Sequence, residues 1–484
     1  MAFFHGVKTS QVPTRLVPSA QISAAILMAF GCAPIHRVPQ GQRANAMPGS
    51  IILSYSSAEA GEQLGIQSTD DFEKWDLSAA AYSHYNLYNK APVLFVNIFN
   101  PEIHSTNVSN EAVTFFEGTA ALAHQDVIGN VTLTQNSTVL VEGGDYSLNR
   151  ITGVIKALEG GALENPSGSI SASYKYAAPE LVTAEECIGG YDVQTGITTG
   201  LELVEDAFPK FSLIPGILVA PRFSVDVTVA AIMAAKTQNI NGVFNAVAFA
   251  DVPSSGDNAV TLYSKVPEYK NSNSLVSENL YLCWPNTKFG EREIPLSVQA
   301  AGIAAVVDAD HGDIPYASPS NKNAQMQAAM ADGNEVWLDL VKANYLNANG
   351  ITTAFNFNGW RLWGNRSAAY PGNTDPKDSM ISNRRMLAWY GNRLVLTYFQ
   401  KVDEPINNRL IQTIVNSEQI FLNSLVAAGA LLGGRIEFLE DENAITNVMD
   451  GMIKFHVSLG LAGPAENIEF ILEYDPAYIQ ALFA

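Results

Sequence analysis

Cysteine is scarce and unpatterned: Cys32, Cys187 and Cys283 are the three in 484 residues. They are far apart, odd in number and in no CxxC spacing. That argues against a disulfide framework or a zinc knuckle and for free, buried thiols in a reducing compartment. Charge is scarce too, at 16% of residues, and the basic share is the smaller one. There are 28 Lys and Arg against 48 Asp and Glu, a formal net charge of −20. Such a chain, with no Lys/Arg run, repels phosphate backbones, so nucleic acid is not an expected partner. No stretch approaches the ~20 unbroken apolar residues of a membrane span, so direct membrane insertion is not expected either.

The signatures of common chemistries are also missing. There is no GxxxxGK[ST] or GxGxxG loop to hold a nucleotide and no HExxH to hold zinc. His5, His36, His84, His104, His124, His311 and His456 are dispersed, and each reads as a surface or satisfied histidine. The acidic pairs Glu185-Glu186 and Asp70-Asp71 read as solvated. No cofactor or metal is expected.

Residues 21–34, QISAAILMAFGCAP, are apolar, close to the first residue and preceded by Lys8 and Arg15. An export signal ending at a lipid-bearing Cys32, as in an anchored surface-layer protein, is one reading. However, Pro13, Pro18, Ser19, Gln21 and Ser23 interrupt the approach, and the apolar part from Ala24 to Phe30 barely reaches the minimum for such a signal. A buried first strand fits better.

Apolar residues make up 47% of the chain, a globular composition, and the length implies two to four domains. SIILSY, APVLFVNIF, ILVAP, GVFNAVAFADVP and LYLCWP read as strands. SSAEAGEQLG, LSAAAYSHYNLYN, FSVDVTVAAIMAAKTQ and PLSVQAAGIAAVVDAD read as helices between them. Strand–helix alternation of this kind predicts an α/β core with buried parallel strands in a mixed sheet flanked by helices. From about residue 110 to 180 no long helix is legible. VTLTQNSTVLVEGGDYSLNRITGVI and GSISASYKYA alternate with period two between Gly-rich turns, which predicts an inserted all-β domain. The division expected is a core over 21–100 and 185–365, a β domain over 101–184, and an α+β domain over 366–484.

In that last part, Leu410, Ile414, Phe421 and Leu425, with Ile411, Val415 and Leu422, define one apolar helix face that Gly433-Gly434 would stop. IKFHVSL, with Ile453, Phe455, Val457 and Leu459, and IEFILEYDP, with Ile468, Phe470, Leu472 and Tyr474, each read as a strand with one buried face. The Pro-punctuated residues 1–20 and the segment from about 466 to 484 read as extended, strand-forming arms. An arm of this kind needs a sheet edge elsewhere, and exchange between copies builds rings or filaments.

The one dense ionisable cluster is Asp308, Asp310, His311 and Asp313 in VVDADHGDIPYASPSN. Asp-x-Asp-His suits a hard metal ion, which keeps a metal-dependent α/β enzyme as an alternative. The EF-hand spacing is absent, and a polar helix exit, its Asp and Ser groups bonding backbone amides, fits better. In NFNGWRLWGNRS, Phe357, Trp360 and Trp363 as a platform that stacks a ligand is one reading; a strand packing its Trp rings against a core edge, with Arg361 and Arg366 in polar bridges, fits better.

Five stretches, in order, resemble the contractile tail sheath proteins of phages and tailocins. They are FHGVKTSQVPT running into the GCAP strand; ILVAPRFSVDVTVAAIMAA with VAFADVP; VQAAGIAAVVDADHGDIPYASPSN; NGWRLWGNRS; and FLNSLVAAGALLGG with DENAITNVMDGMIKFHVSLGLAGPAENIEF. The resemblance implies a structural protein, not an enzyme. It implies six-fold rings stacked as a helical sheath around an inner tail tube protein, bounded by baseplate and tail terminator proteins. Assembly would take place in the host bacterial cytoplasm and the product would be a virion tail or tailocin particle. Contraction from a metastable extended lattice would drive the tube through an envelope. By the same resemblance both termini join a neighbour's C-terminal sheet, carried here onto Val7, Val12, Ile468, Phe470, Leu472 and Tyr474. The C-terminal domain would face the tube, with Arg409 and Lys454 as its basic contacts, and the β insertion would lie outward.

Overall fold

A computed structural model describes residues 22–164 and 168–483. The expectations placed on Val7, Val12 and the first arm lie outside the described residues.

Eight strands build the central sheet: β1 (Leu27–Gly31), β2 (Ile51–Ser54), β3 (Val93–Asn97), β4 (Ile217–Val219), β5 (Val247–Asp251), β6 (Leu280–Cys283), β7 (Ile351–Asn356) and β8 (Trp360–Trp363). Their spatial order is β2-β3-β1-β4-β5-β6-β7-β8. The six inner strands run parallel, and β2 and β8 close the two edges antiparallel. Strands covered on both faces need apolar side chains at every position, not every second one. LMAFG and LYLC meet that demand throughout, VLFVN and VAFAD at all but their last residues, Asn97 and Asp251, and all four are buried. Residues 22–34 thus carry a central strand, and Cys32, Cys187 and Cys283 are buried free thiols.

Helices pack on this sheet, and their starts follow from capping. Asp226 caps α1 (Val227–Ala235) through the amides of Thr228 and Val229 at 2.8 and 3.2 Å. α2 (Leu296–Asp310) is buried along nearly its whole length and packs against β5. Among the described residues, no helix is long and apolar enough to cross a membrane.

Between β3 and β4 the chain leaves the sheet for two antiparallel sheets. One orders Ser105–Ala112, Ile170–Ala177, Val127–Gln135 and Thr138–Val139. The other orders Thr119–Ala121, Val154–Ala157 and Tyr146–Asn149. They enclose a hydrophobic cluster of their own, including Leu133, Tyr146, Ile155 and Ala172. Asp126, at the root of this insertion, is bolted to the core. Its carboxylate accepts from Arg37 Nε and Nη2 at 3.0 and 2.7 Å, Lys74 Nζ at 2.9 Å and Trp75 Nε1 at 3.1 Å. Burial alone would raise this carboxyl; His36, Arg37 and Lys74 outweigh it and hold it far below the usual range.

One member of each acidic pair differs from the solvated reading, while Asp71 and Glu185 are exposed as expected. Asp70 is buried on Arg37, at 2.5 Å. Glu186 closes a capping box with Thr183 and reaches His104 Nε2 at 2.9 Å. His84 also differs from the satisfied reading: it is buried with neither ring nitrogen bonded, and burial lowers its pKa to about 4.

Candidate functional site

Beyond the core, the last part of the chain is built on two long helices, α3 (Ile381–Tyr398) and α4 (Asn408–Ala427), and a hairpin of β9 (Leu431–Glu437) and β10 (His456–Leu461). Asn407 caps α4, accepting from the Leu410 amide at 2.9 Å. The expected apolar stripe holds: Leu410, Ile414, Leu422 and Leu425 are buried on Leu431 and Ile436 of the hairpin, with Val457 and Leu459 packed alongside. The expected stop does not. α4 ends at Ala427, the Ala430 amide bonds back to Leu425 O at 2.9 Å, and Gly429 takes φ 75°. Gly433 and Gly434 instead lie within β9, where a Cβ on Gly434 would meet Leu422 at 3.0 Å.

α3 joins this unit to the core through charges that the sequence reading did not find. Arg385 pairs with Asp308 of α2, and Arg393 with Glu418 of α4, all four side chains buried. Glu418 also accepts from Tyr390 at 2.6 Å and Tyr398 at 2.9 Å, and the Arg393 guanidinium lies 3.7 Å from the Phe421 ring centre. Trp389 Nε1 donates to Ile22 O at 3.1 Å, so the first described residues start against α3.

This placement corrects the metal-centre alternative. Asp308 spends both carboxylate oxygens on Arg385, while Asp310 and Asp313 are exposed and His311 Nδ1 bonds Val307 O at 2.6 Å. Among the described residues no group of three or more His, Cys, Asp or Glu side chains is placed to hold a metal ion.

The terminal strand expected over residues 468–474 is not formed within this chain, among its described residues, and 476–483 coil into a 3-10 helix. Ile468, Phe470, Leu472 and Tyr474 are 70, 84, 93 and 78% exposed. A lone strand has no partner for its backbone and no surface for its apolar face, so it does not form by itself. Just before it, Glu466 is pinned by a two-pronged ion pair to Arg366, whose Nη1 donates to Ser379 Oγ at 3.0 Å. The hairpin itself is a two-stranded sheet. An alternating apolar segment without a sheet thus coexists with a sheet short of strands. Arg409, in the first turn of α4, and Lys454, in the loop entering β10, are both exposed. The Trp rings of β8 lie as expected on the sheet edge, Trp360 Nε1 on Gln327 O at 3.0 Å and Trp363 Nε1 on Asn344 Oδ1 at 2.9 Å.

Comparison with known proteins places this arrangement. Residues 70–185 match a family described as a protein of unknown function. The tail sheath protein of Burkholderia phage BcepMu is 29% identical over 496 aligned positions, covering 99% of this chain and 98% of that protein. The sheath complex of the extracellular contractile injection system PVC, in its contracted state, shares the fold with a TM-score of 0.59 at 13% identity, over 99% of each chain. The contracted helical sheath of the anti-feeding prophage gives 0.57 at 14% identity, over 97% of this chain and 99% of that one. From end to end the chain is similar to a phage tail sheath protein in sequence and to contractile-injection sheaths in fold, and the resemblance carried by its motifs is borne out.

Proposed function

We propose that the chain is the structural subunit of a contractile tail sheath. It polymerises as stacked six-fold rings around an inner tube, between a baseplate and a tail terminator, within a virion tail or tailocin particle assembled in the host cytoplasm. The observation that carries this reading is the end-to-end likeness to the BcepMu sheath protein. The exposed apolar tail beside an incomplete hairpin sheet supports it independently.

In this reading the arms are tethers and the α/β bodies are the moving parts. Each tail strand docks on a neighbour's hairpin, where its four apolar side chains leave water, worth about 1.5–3 kcal/mol apiece, and its backbone joins a ladder. Lateral contacts between bodies then break and re-form as the lattice shortens and widens, while the ladders keep the subunits connected. The rigidity this needs comes from the buried Arg385–Asp308 pair, which holds α3 to the core, and the buried Arg393–Glu418 pair, which holds α4 to α3. Exposed Arg409 and Lys454 serve as basic contacts to the tube, and Val7 and Val12 as part of a second exchanged strand.

Negative-stain microscopy of the purified full-length chain tests this. Hollow, striated cylinders are expected. A folded chain that stays strictly monomeric at high concentration overturns it.

A further inference from the structure

The connections of the central sheet part between β1 and β4. These strands lie side by side and run parallel, but the chain leaves β1 toward β2 and β3 on one side and leaves β4 toward β5 on the other. In open sheets of this kind the crevice at the carboxyl ends of such strands is where ligands bind. A cavity of about 290 Å³ lies there, lined by Asp76, by Arg222 just beyond β4, and by Asp251, the last residue of β5.

Four carboxyl groups face the single guanidinium of Arg222 across this cavity. Asp76 and Asp251 are buried, while Glu73 is exposed and Glu293 half-buried. Asp251 is satisfied, since its carboxylate accepts the amide and the hydroxyl of Ser297. Asp76 is satisfied on one side only. Its Oδ1 accepts from the Cys32 amide at 2.5 Å, but Oδ2 has no hydrogen-bond partner, in a residue only 1% exposed. Arg222 does not supply the donor. Its Nη2 is held on Pro179 O at 2.9 Å, which leaves Nε 3.7 Å from Oδ2, within ion-pair range but beyond hydrogen-bond reach. Other cations nearby are engaged elsewhere: Lys74 pairs with Asp126, and Arg292 lies 5.2 Å from the ring centres of both Phe72 and Tyr82. A buried carboxylate oxygen left without a donor is costly, so its cavity is chemically incomplete.

We infer that this crevice binds one guanidinium or alkylammonium group, whose N–H donors reach Asp76 Oδ2 past the partly exposed Arg222 side chain and whose charge is held by Glu73 and Glu293 at the mouth. Among the described residues no three carboxyls are placed to hold a metal ion, so their spread suits a cation of several atoms. Burial, Asp71 and Glu293 together raise the Glu73 carboxyl, and a bound cation relieves the repulsion in that sum. Burial also holds the Asp76 carboxyl up at about 7, so a cation arriving beside it drives its proton off. The site does not depend on the sheath reading. A basic side chain of a second copy and a free polyamine carry the same chemistry.

Calorimetry on the full-length chain tests it, below the concentration at which the chain polymerises, with ethylguanidinium as the probe and ethylurea as its neutral counterpart. Saturable binding of ethylguanidinium is expected, with a proton released near neutrality, and none of ethylurea. Asp76→Asn should remove the proton release and weaken binding by about tenfold or more. Glu73→Gln combined with Glu293→Gln, at the mouth, should weaken binding and flatten its salt dependence. This rim variant decides the matter should Asp76→Asn not fold. No saturable binding to the native chain, equal binding of ethylurea, or unchanged binding in the rim variant overturns the site. The polymers then tell the two sources apart, and either result upholds the site. If the probe and the rim substitutions both suppress polymerisation, a second copy supplies the cation; if neither does while the probe binds, a free cation does.

Discussion

Arg385 on α3 grips Asp308 on α2 with both prongs of its guanidinium, Nη1 to Oδ1 at 3.0 Å and Nη2 to Oδ2 at 2.5 Å, deep in the protein. Nη2 also reaches Ala24 O, at 3.3 Å, on the approach to β1. The pair is thus a rivet joining three segments far apart in sequence. Asp308→Asn should leave Arg385 buried without a counter-charge and cost about 3–5 kcal/mol. The loss of thermal midpoint should be the same with and without Mg2+ or Ca2+. A midpoint that divalent ions raise in the native chain but not in the variant would restore the metal reading.

Arg393 and Glu418 form the matching rivet on the C-terminal side. Arg393→Met alone strands a buried carboxylate and should lower stability by about 3–5 kcal/mol in urea denaturation. Adding Glu418→Leu should recover a substantial part, because no uncompensated charge remains. Recovery stays incomplete because Tyr390 and Tyr398 lose their acceptor.

Asp126 ties the β insertion to the core by four donors from three side chains. Asp126→Ala should loosen that root while the insertion's own cluster stays intact. Limited proteolysis should then cut near residues 100–105 and 177–185 and release a protected fragment, where the native chain resists. Equal cleavage rates for both proteins would contradict this role.

Two buried groups give opposite pH dependences. Burial raises the Asp76 carboxyl to about 7, with Arg222 only partly offsetting it. Between about pH 4 and 7 the folded chain therefore keeps a proton that the unfolded chain has lost, and this group's contribution falls as pH rises. Relative to the native chain, Asp76→Asn should gain stability across that window, by up to ~4 kcal/mol, and level off above it. His84 acts in the other sense: its pKa is lowered to about 4, so stability is lost as pH falls from about 6.5 to 4. His84→Phe should flatten that acid limb. Denaturation midpoints measured from pH 4 to 8 check both.

Much of the core was legible because its strands obey one rule, burial on both faces. LMAFG and VLFVN can be read as strands from composition alone. The apolar stripe of α4 was legible because it repeats at helical spacing. α3 was not, because its buried face includes Arg385 and Arg393, which composition assigns to the surface until a carboxylate from another segment is seen beside each. Residues 468–474 show what a single chain leaves open. Their alternation is strand-like, but a strand is a property of two segments, and the partner is not in the same chain's described fold.

The proposed role of this tail is that of an intermolecular tether. Sedimentation velocity on the full-length chain and on a chain lacking residues 468–484 tests it most directly, at matched concentration and with Glu466 retained on Arg366. Large, concentration-dependent polymers are expected for the first, and folded monomers with an unchanged circular dichroism spectrum for the second. Polymers of equal size from both would contradict it.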